Sequence, residues 1–192
     1  MTSHIIAISG VTGVGKTTLA KHLAQKLKAT LVAWDDFDEV SSEPEDFIDW
    51  YQRGQDYAEF KRSELAKVLA SLQAGEQAMH PTSKVKLEAA KYIVFDAPLG
   101  RLHAQTGKFI NSMFHITLPL DVSLCRRLLR DFNDKPKEDL LEEISFYLNH
   151  SRPLFYDDDL KQTADLVIDG MLTPEKQMEM CLVYLDEVVK KL

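Results

Sequence analysis

The sequence predicts an α/β fold: a three-layer sandwich around an approximately five-stranded parallel sheet, with a small helical lid. Two observations carry that expectation. Five short, near-continuous apolar runs are separated by stretches long enough for helices, the pattern of parallel strands covered on both faces. A glycine-rich loop stands between the first apolar run and the first amphipathic helix, so the chain opens as strand, loop, helix. The 192 residues, 45% of them apolar, suit one domain over 1–192 with one ordinary core.

The elements follow in order. Ile5 to Ser9 is the first strand and ends at Gly10, and Lys16 to Lys28 carries helical spacing in Leu19, Leu23 and Leu27. Thr30 to Trp34 is the second strand and ends at Asp35-Asp36. Tyr92 to Phe95, Phe114 to Leu118 and Leu166 to Ile168 repeat the strand pattern, with right-handed crossovers between them. Between strands two and three, Pro44-Glu45-Asp46 places proline and acids in a first turn, and Asp56 is expected to cap a helix ending near Gly75, giving a helical insertion at about 36–75. Phe132 to Glu138, around Asn133-Asp134-Lys135-Pro136-Lys137, reads as a mobile excursion and sets the lid at about 132–138. Thr173-Pro174-Glu175 opens a last helix whose Met178, Cys181, Leu182, Leu185 and Val189 form one apolar face.

Composition narrows the function classes. The 23 Lys+Arg against 30 Asp+Glu give a formal charge of −7, which argues against a broad nucleic-acid-binding face. Cys125 and Cys181 have no CxxC neighbour, and the six histidines lack ligand spacing, so neither a disulfide framework nor a protein-built zinc site is expected. His80 and His103 read as surface or packing residues. No basic, apolar leader follows Met1-Thr2-Ser3-His4 and no segment approaches the roughly 18 apolar residues of a membrane span. A cytoplasmic protein with no membrane partner is the expectation.

The chemistry starts at Gly10, Val11, Thr12, Gly13, Val14, Gly15, Lys16 and Thr17, which match G-x-x-x-x-G-K-[ST] between a strand and a helix. Such a P-loop turns successive N–H groups, with the helix N-terminus, onto phosphate oxygens. Lys16 reaches the β- and γ-phosphates, the Thr17 hydroxyl suits Mg²⁺, and Thr18 completes the expected nucleotide-binding set. No Asn-Lys-x-Asp follows for guanine, and no ring-forming domain is appended, which leaves ATP and a small phosphotransferase ahead of a GTPase or motor.

A phosphotransferase needs an acid beside the acceptor hydroxyl at a strand's carboxyl end. Asp35 is the candidate base and Asp36 its neighbour; Asp96, ending the run Tyr92-Ile93-Val94-Phe95, is a candidate for a magnesium-bound water. Arg101 is a candidate contact for an anionic substrate. Arg126 and Arg130 share a helix face at i,i+4 while Arg127 is offset, and Arg130 is the expected phosphate contact, joined on closure by Lys135.

With these residues in view, the chain resembles the uridine kinase-like P-loop kinases, a group that includes nicotinamide riboside, pantothenate and phosphoribulose kinases. The likeness runs from the P-loop to Gly170. It rests on Asp35-Asp36-Phe37, similar to D-[SD]-F, on Arg126-Arg127-Leu128-Leu129-Arg130-Asp131, similar to RRxxRD, and on Tyr147, Arg152-Pro153 and Ala164-Asp165-Leu166-Val167-Ile168 at the family's order and spacing. The resemblance implies Asp35 as general base, Arg130 as lid-side phosphate contact and Arg127 as facing the acceptor. The family's E-R-G-R is replaced by Asp134-Lys135-Pro136-Lys137, and its P-x-Y-D by Pro81-Thr82-Ser83-Lys84. An acceptor with its own anion, near Lys84 or Arg101, is therefore an expectation alongside a nucleoside-like or sugar acceptor. The reading from another class is a regulatory protein that binds ATP without phosphorylating a metabolite. The oligomeric state stays open.

Overall fold

The computed structural model describes residues 2–189. Its strands are β1 (His4–Ser9), β2 (Thr30–Ala33), β3 (Ala78–Met79), β4 (Lys86–Leu87), β5 (Tyr92–Asp96), β6 (Ser112–Thr117) and β7 (Leu166–Asp169). Its helices are α1 (Lys16–Leu27), α2 (Phe47–Gln52), α3 (Ser63–Gln73), α4 (Ala104–Gly107), α5 (Leu120–Asp131), α6 (Lys137–Phe146), α7 (Asp158–Gln162) and α8 (Pro174–Val189). Five strands form one parallel sheet in the order β2-β5-β1-β6-β7, with β1 at its centre. The central strands are buried almost throughout, which is why they read as apolar runs rather than alternations.

Two apolar layers cover the sheet. On one face Ile5, Ala7, Ile93 and Phe95 pack with Trp34, Phe37, Trp50 and the α3 stripe Leu65, Val68, Leu69 and Leu72. On the other, Ile6, Ile8, Val94 and Ile116 pack with Leu19 and Leu23 of α1 and with Cys181 and Leu185 of α8. Alternate residues of the same strand thus serve opposite layers. The predicted α8 face holds at Met178, Cys181, Leu182 and Leu185; the Val189 side chain lies outside the described residues.

Two local expectations are corrected, and one further element is added. Asp56 does not cap the long helix: its carboxylate accepts from Ala58 N and starts a 3₁₀ turn over Tyr57–Glu59, while α3 begins at Ser63 behind Arg62. Arg62 is buried on the face of Trp34, 4.5 Å from the ring centroid, with its guanidinium bonded to Asp38 and Glu43. That packing, rather than a capping side chain, fixes where α3 starts. Pro44 and Glu45 precede α2, and Asp46 is its N-cap, accepting from Ile48 N and Asp49 N. The two-residue strands β3 and β4 form a small antiparallel hairpin that no apolar run announced.

Between α5 and α6 the chain turns through Phe132 to Pro136, then leaves α6 by a π-helical turn, Tyr147–Ser151, and a 3₁₀ turn, Arg152–Phe155. None of the described helices is long and apolar enough to cross a membrane.

Candidate active site

The carboxyl ends of β1, β2 and β5 converge on one side of the sheet. Gly10, Gly13 and Gly15 all take positive φ (138°, 84° and 104°), which non-glycine residues adopt only with strain. Space matters at two of them. A Cβ on Gly10 would stand 2.5 Å from Ile116 O, and one on Gly13 2.3 Å from Ser123 O. The loop can therefore wrap against β6 and α5 only as written. Gly15 is the N-cap of α1 and supplies no capping side chain, so the helix opens with free N–H groups and the positive end of its dipole.

Lys16 lies along this loop, its Nζ donating to Val11 O at 3.1 Å. Burial lowers its pKa, a trend opposed by Asp96 and Asp35 and reinforced by Arg130. Thr17 Oγ1 donates to Asp96 Oδ2 at 2.6 Å. Asp96 is buried and its other oxygen, Oδ1, has no hydrogen-bond partner; burial pushes its carboxyl above the ordinary range against the pull of Thr17 and Lys16. An orphaned carboxylate oxygen beside a P-loop hydroxyl is a position for a cation or its water.

Asp35 sits one residue beyond Trp34, whose N–H bonds to Asp96 O, so the acids at the ends of β2 and β5 are placed by pairing of those two strands. Asp35 is exposed and lines the cleft; Asp36 is exposed and does not. Arg130, on α5, is held by Asp131 through Nε (2.6 Å) and Nη2 (2.9 Å), and its Nη2 stands 3.5 Å from Thr12 Oγ1 of the loop. The Asp131 hydrogen bonds raise the Arg130 pKa further. Arg127 turns the other way, to Glu143 on α6 at 2.5 Å and the Phe155 ring at 5.7 Å, leaving its Nε buried and unpartnered. Arg126 reaches Gly170 O.

One cleft of about 1510 Å³ joins these groups. It contains all of Gly10 to Thr18, together with Asp35, Asp96, Arg126, Arg127 and Arg130. Three expected contacts lie elsewhere. Lys84 occupies the turn of the β3–β4 hairpin at φ 58°, bonded to Pro81 O. Arg101 is spent on Thr163 O, Asn111 O and Asp165, where it ties the start of β7 to the chain ahead of β6. Lys135 is exposed in the turn after α5 and does not line the cleft. His80 accepts from Thr82 N and Ser83 N, and His103 is buried against Phe60 O and Thr106, so both pack rather than face the cleft.

The remaining cleft wall escaped sequence reading. Phe47, Ile48 and Tyr57 come from the acidic insertion, Leu154, Phe155 and Tyr156 from the turn after the lid helices, and Glu45, Asp46 and Asp157 add carboxylates. These residues share no local spacing, and only the tertiary fold gathers them.

Comparison with known proteins bears on the fold. A family model described as the AAA domain matches residues 6–146. A uridine kinase of Clostridium botulinum (strain Langeland) is 25% identical over 181 residues, covering 85% of this chain and 86% of that protein. In fold, the chain is similar to a gluconokinase from Sinorhizobium meliloti (TM-score 0.55, 11% identity, 98% of this chain and 94% of that one). It is also similar to a possible uridine kinase from Bacillus stearothermophilus (TM-score 0.51, 17% identity, 88% and 90%). The fold is that of the P-loop kinases, and the resemblance to the uridine kinase-like group stands.

Proposed function

The chain belongs to the AAA domain family, with a kinase-like P-loop fold whose structural neighbours are small-molecule kinases, and from that premise we propose an ATP-dependent phosphotransferase acting on a hydroxyl of a small metabolite. The observation that carries it is the continuity of the cleft: the P-loop, the Thr17–Asp96 pair, Asp35 and Arg130 share one space with a wall of aromatic and apolar side chains. A protein that only bound nucleotide would have no use for that wall or for a free carboxylate beside it.

In this reading the loop amides and Lys16 hold the ATP phosphates. The Asp96–Thr17 pair fits Mg²⁺, because a hydroxyl and one orphaned carboxylate oxygen suit an ion that keeps several waters and takes its other oxygens from phosphates. No cluster of three or more His, Cys, Asp or Glu exists among the described residues to build an all-protein cage. When bound, the ion supplies charge neutralisation on the phosphates. Asp35 accepts the hydroxyl proton or orients the hydroxyl. Arg130 neutralises charge on the phosphoryl group as it moves, and Lys135 joins it by movement of the Phe132–Pro136 turn. The whole chain acts as one kinase domain, with 36–75 as the acceptor side and 132–138 within the lid.

The cleft also bears on the acceptor. Its wall holds Asp35, Glu45, Asp46 and Asp157, and Arg127, its cation away from the P-loop, is already paired with Glu143. With Lys84 and Arg101 outside, an uncharged hydroxyl compound fits better than an anionic one. The test is a screen of hydroxylated compounds for ATP consumption with mass detection of product. Acceptor-stimulated turnover supports the reading, and ATP binding with no stimulated turnover by any compound rejects it.

A further inference from the structure

Behind the P-loop lies a buried polar chain that the proposed reaction does not use. His115, on β6, is fully buried with both ring nitrogens engaged: Nδ1 is 3.0 Å from Ser9 Oγ and Nε2 is 3.1 Å from Asp157 Oδ2. Ser9 is the last residue of β1, immediately before Gly10 of the loop. Asp157 ends the segment that returns from the lid and precedes α7.

The hydrogen bonds define the donors. A carboxylate only accepts, so His115 Nε2 carries the proton donated to Asp157. In the neutral ring Nδ1 is then an acceptor, filled by the Ser9 hydroxyl. The chain runs Ser9 O–H to His115, His115 N–H to Asp157, and it stops at a carboxylate whose second oxygen makes no hydrogen bond among the described residues. The Asp157 side chain keeps 19% exposure, and the residue lines the cleft next to Leu154, Phe155 and Tyr156. A polar residue on a doubly covered strand, with one nitrogen on a carboxylate and the other braced on Ser9, is costly unless that carboxylate has to stand in one place.

We propose that Asp157 is a second acceptor-binding carboxylate, which takes a hydrogen bond from a hydroxyl or other N–H or O–H donor of the acceptor, and that His115, braced on Ser9, is the positioning residue that holds it. The inference rests on the kinase reading. It links the acceptor wall to the root of the P-loop, so that the acceptor is registered against the same strand that carries the phosphates.

Three variants test it. His115→Phe releases Asp157 while Ser9 Oγ can still donate to Phe114 O, to which it already lies at 3.5 Å. His115→Gln keeps an N–H donor. Asp157→Asn keeps the shape but loses the charge. Initial rates with uridine, fructose and any other uncharged compound that stimulates turnover in the screen give the KM for each acceptor and for ATP. Asp157→Asn and His115→Phe are expected to raise the acceptor KM about tenfold, the loss of one hydrogen bond to a charged group, with the ATP KM within about twofold of wild type and His115→Gln restoring most of the loss. Acceptor and ATP KM values that stay together in all variants, or a lowered melting temperature with the acceptor KM unchanged, would make the chain merely structural and overturn the inference alone. If no hydroxylated compound of the screen stimulates turnover by the wild-type protein, the kinase reading falls and the inference falls with it.

Discussion

Asp96→Asn opposes stability to function in a way that can be worked through from the structure. In the free protein Asp96 is buried with one oxygen bonded to Thr17 and the other unpartnered. Leaving a buried polar group unsatisfied costs about 1–3 kcal/mol, more when it is charged. Asparagine keeps the acceptor for Thr17 and removes the charge, but its own N–H₂ lacks partners, so a net gain of about 1 kcal/mol remains of that range. For a chain of this size, 1 kcal/mol moves Tm by about 2–4 °C, so the free variant should melt higher at neutral pH. Because burial holds the Asp96 pKa above its unfolded value, the destabilisation is absent below the unfolded pKa of about 3.9, grows as pH rises through the folded pKa and is complete above it. The advantage of asparagine should therefore vanish in acid. Mg-ATP should reverse the order: a ligand at a hundred times its Kd stabilises wild type by about 2.7 kcal/mol, and the neutral side chain should forfeit most of that gain. Thermal melts of both proteins at acidic and neutral pH, with and without Mg-ATP, give all four values. A variant that melts below wild type when free would refute the burial cost, and one that gains as much from Mg-ATP would refute the assignment of Asp96 to the ion.

Three further outcomes follow from the same geometry. Asp35→Asn should lower acceptor-dependent turnover by about 10²–10⁴-fold with ATP affinity unchanged by titration, because Asp35 is exposed and holds no part of the loop. Arg130→Ala should cut kcat by about 10³-fold or more while leaving Tm nearly unchanged, since its partner Asp131 is a neighbouring surface residue and such pairs contribute only about 0–1 kcal/mol. Gly13→Ala should abolish nucleotide binding in calorimetry, as its Cβ would collide with the Ser123 carbonyl at a positive φ; binding within about threefold of wild type would show that the loop can adjust.

The parts of the fold that the sequence announced are those with a physical reason to be local. A strand covered on both faces must be apolar along its length, so β1, β2, β5, β6 and β7 stand out, and the P-loop stands out because its glycines and Lys16-Thr17 each answer a separate requirement. The β3–β4 hairpin is two residues per strand, with Met79 largely exposed, and has no burial pattern to read. The start of α3 is fixed by Arg62 lying on Trp34, a contact across 28 positions, and no capping signal marks it.

The site divides the same way. Asp35 and Asp96 were legible because adjacent parallel strands end together. Arg101 looked free because its partners, Thr163 and Asp165, are distant in sequence, and Lys84 because the β3–β4 turn that binds it to Pro81 O carries no apolar signal. Of the acids between 34 and 64, most do structural work: Asp46 caps α2 and Asp56 a 3₁₀ turn, Asp49 and Glu59 hold Arg53, and Asp38 and Glu43 hold Arg62. Asp35 is left free beside the loop. His115 had one available signal, a polar residue inside the run Met113-Phe114-His115-Ile116, and its partner lies 42 residues on.

The central claim is transfer of phosphate from ATP to a small hydroxyl compound at the Asp35 end of the cleft. Incubation of wild type and Asp35→Asn with Mg-ATP and a panel of uncharged hydroxyl compounds and their phosphorylated or carboxylated counterparts, with product masses measured, tests it most directly. The account predicts one added phosphoryl group on an uncharged compound, ADP formed in equal amount, and at least about a hundredfold slower formation of both with Asp35→Asn. ATP bound through the P-loop with no phosphorylated compound formed, or equal product from the Asp35→Asn protein, would contradict it.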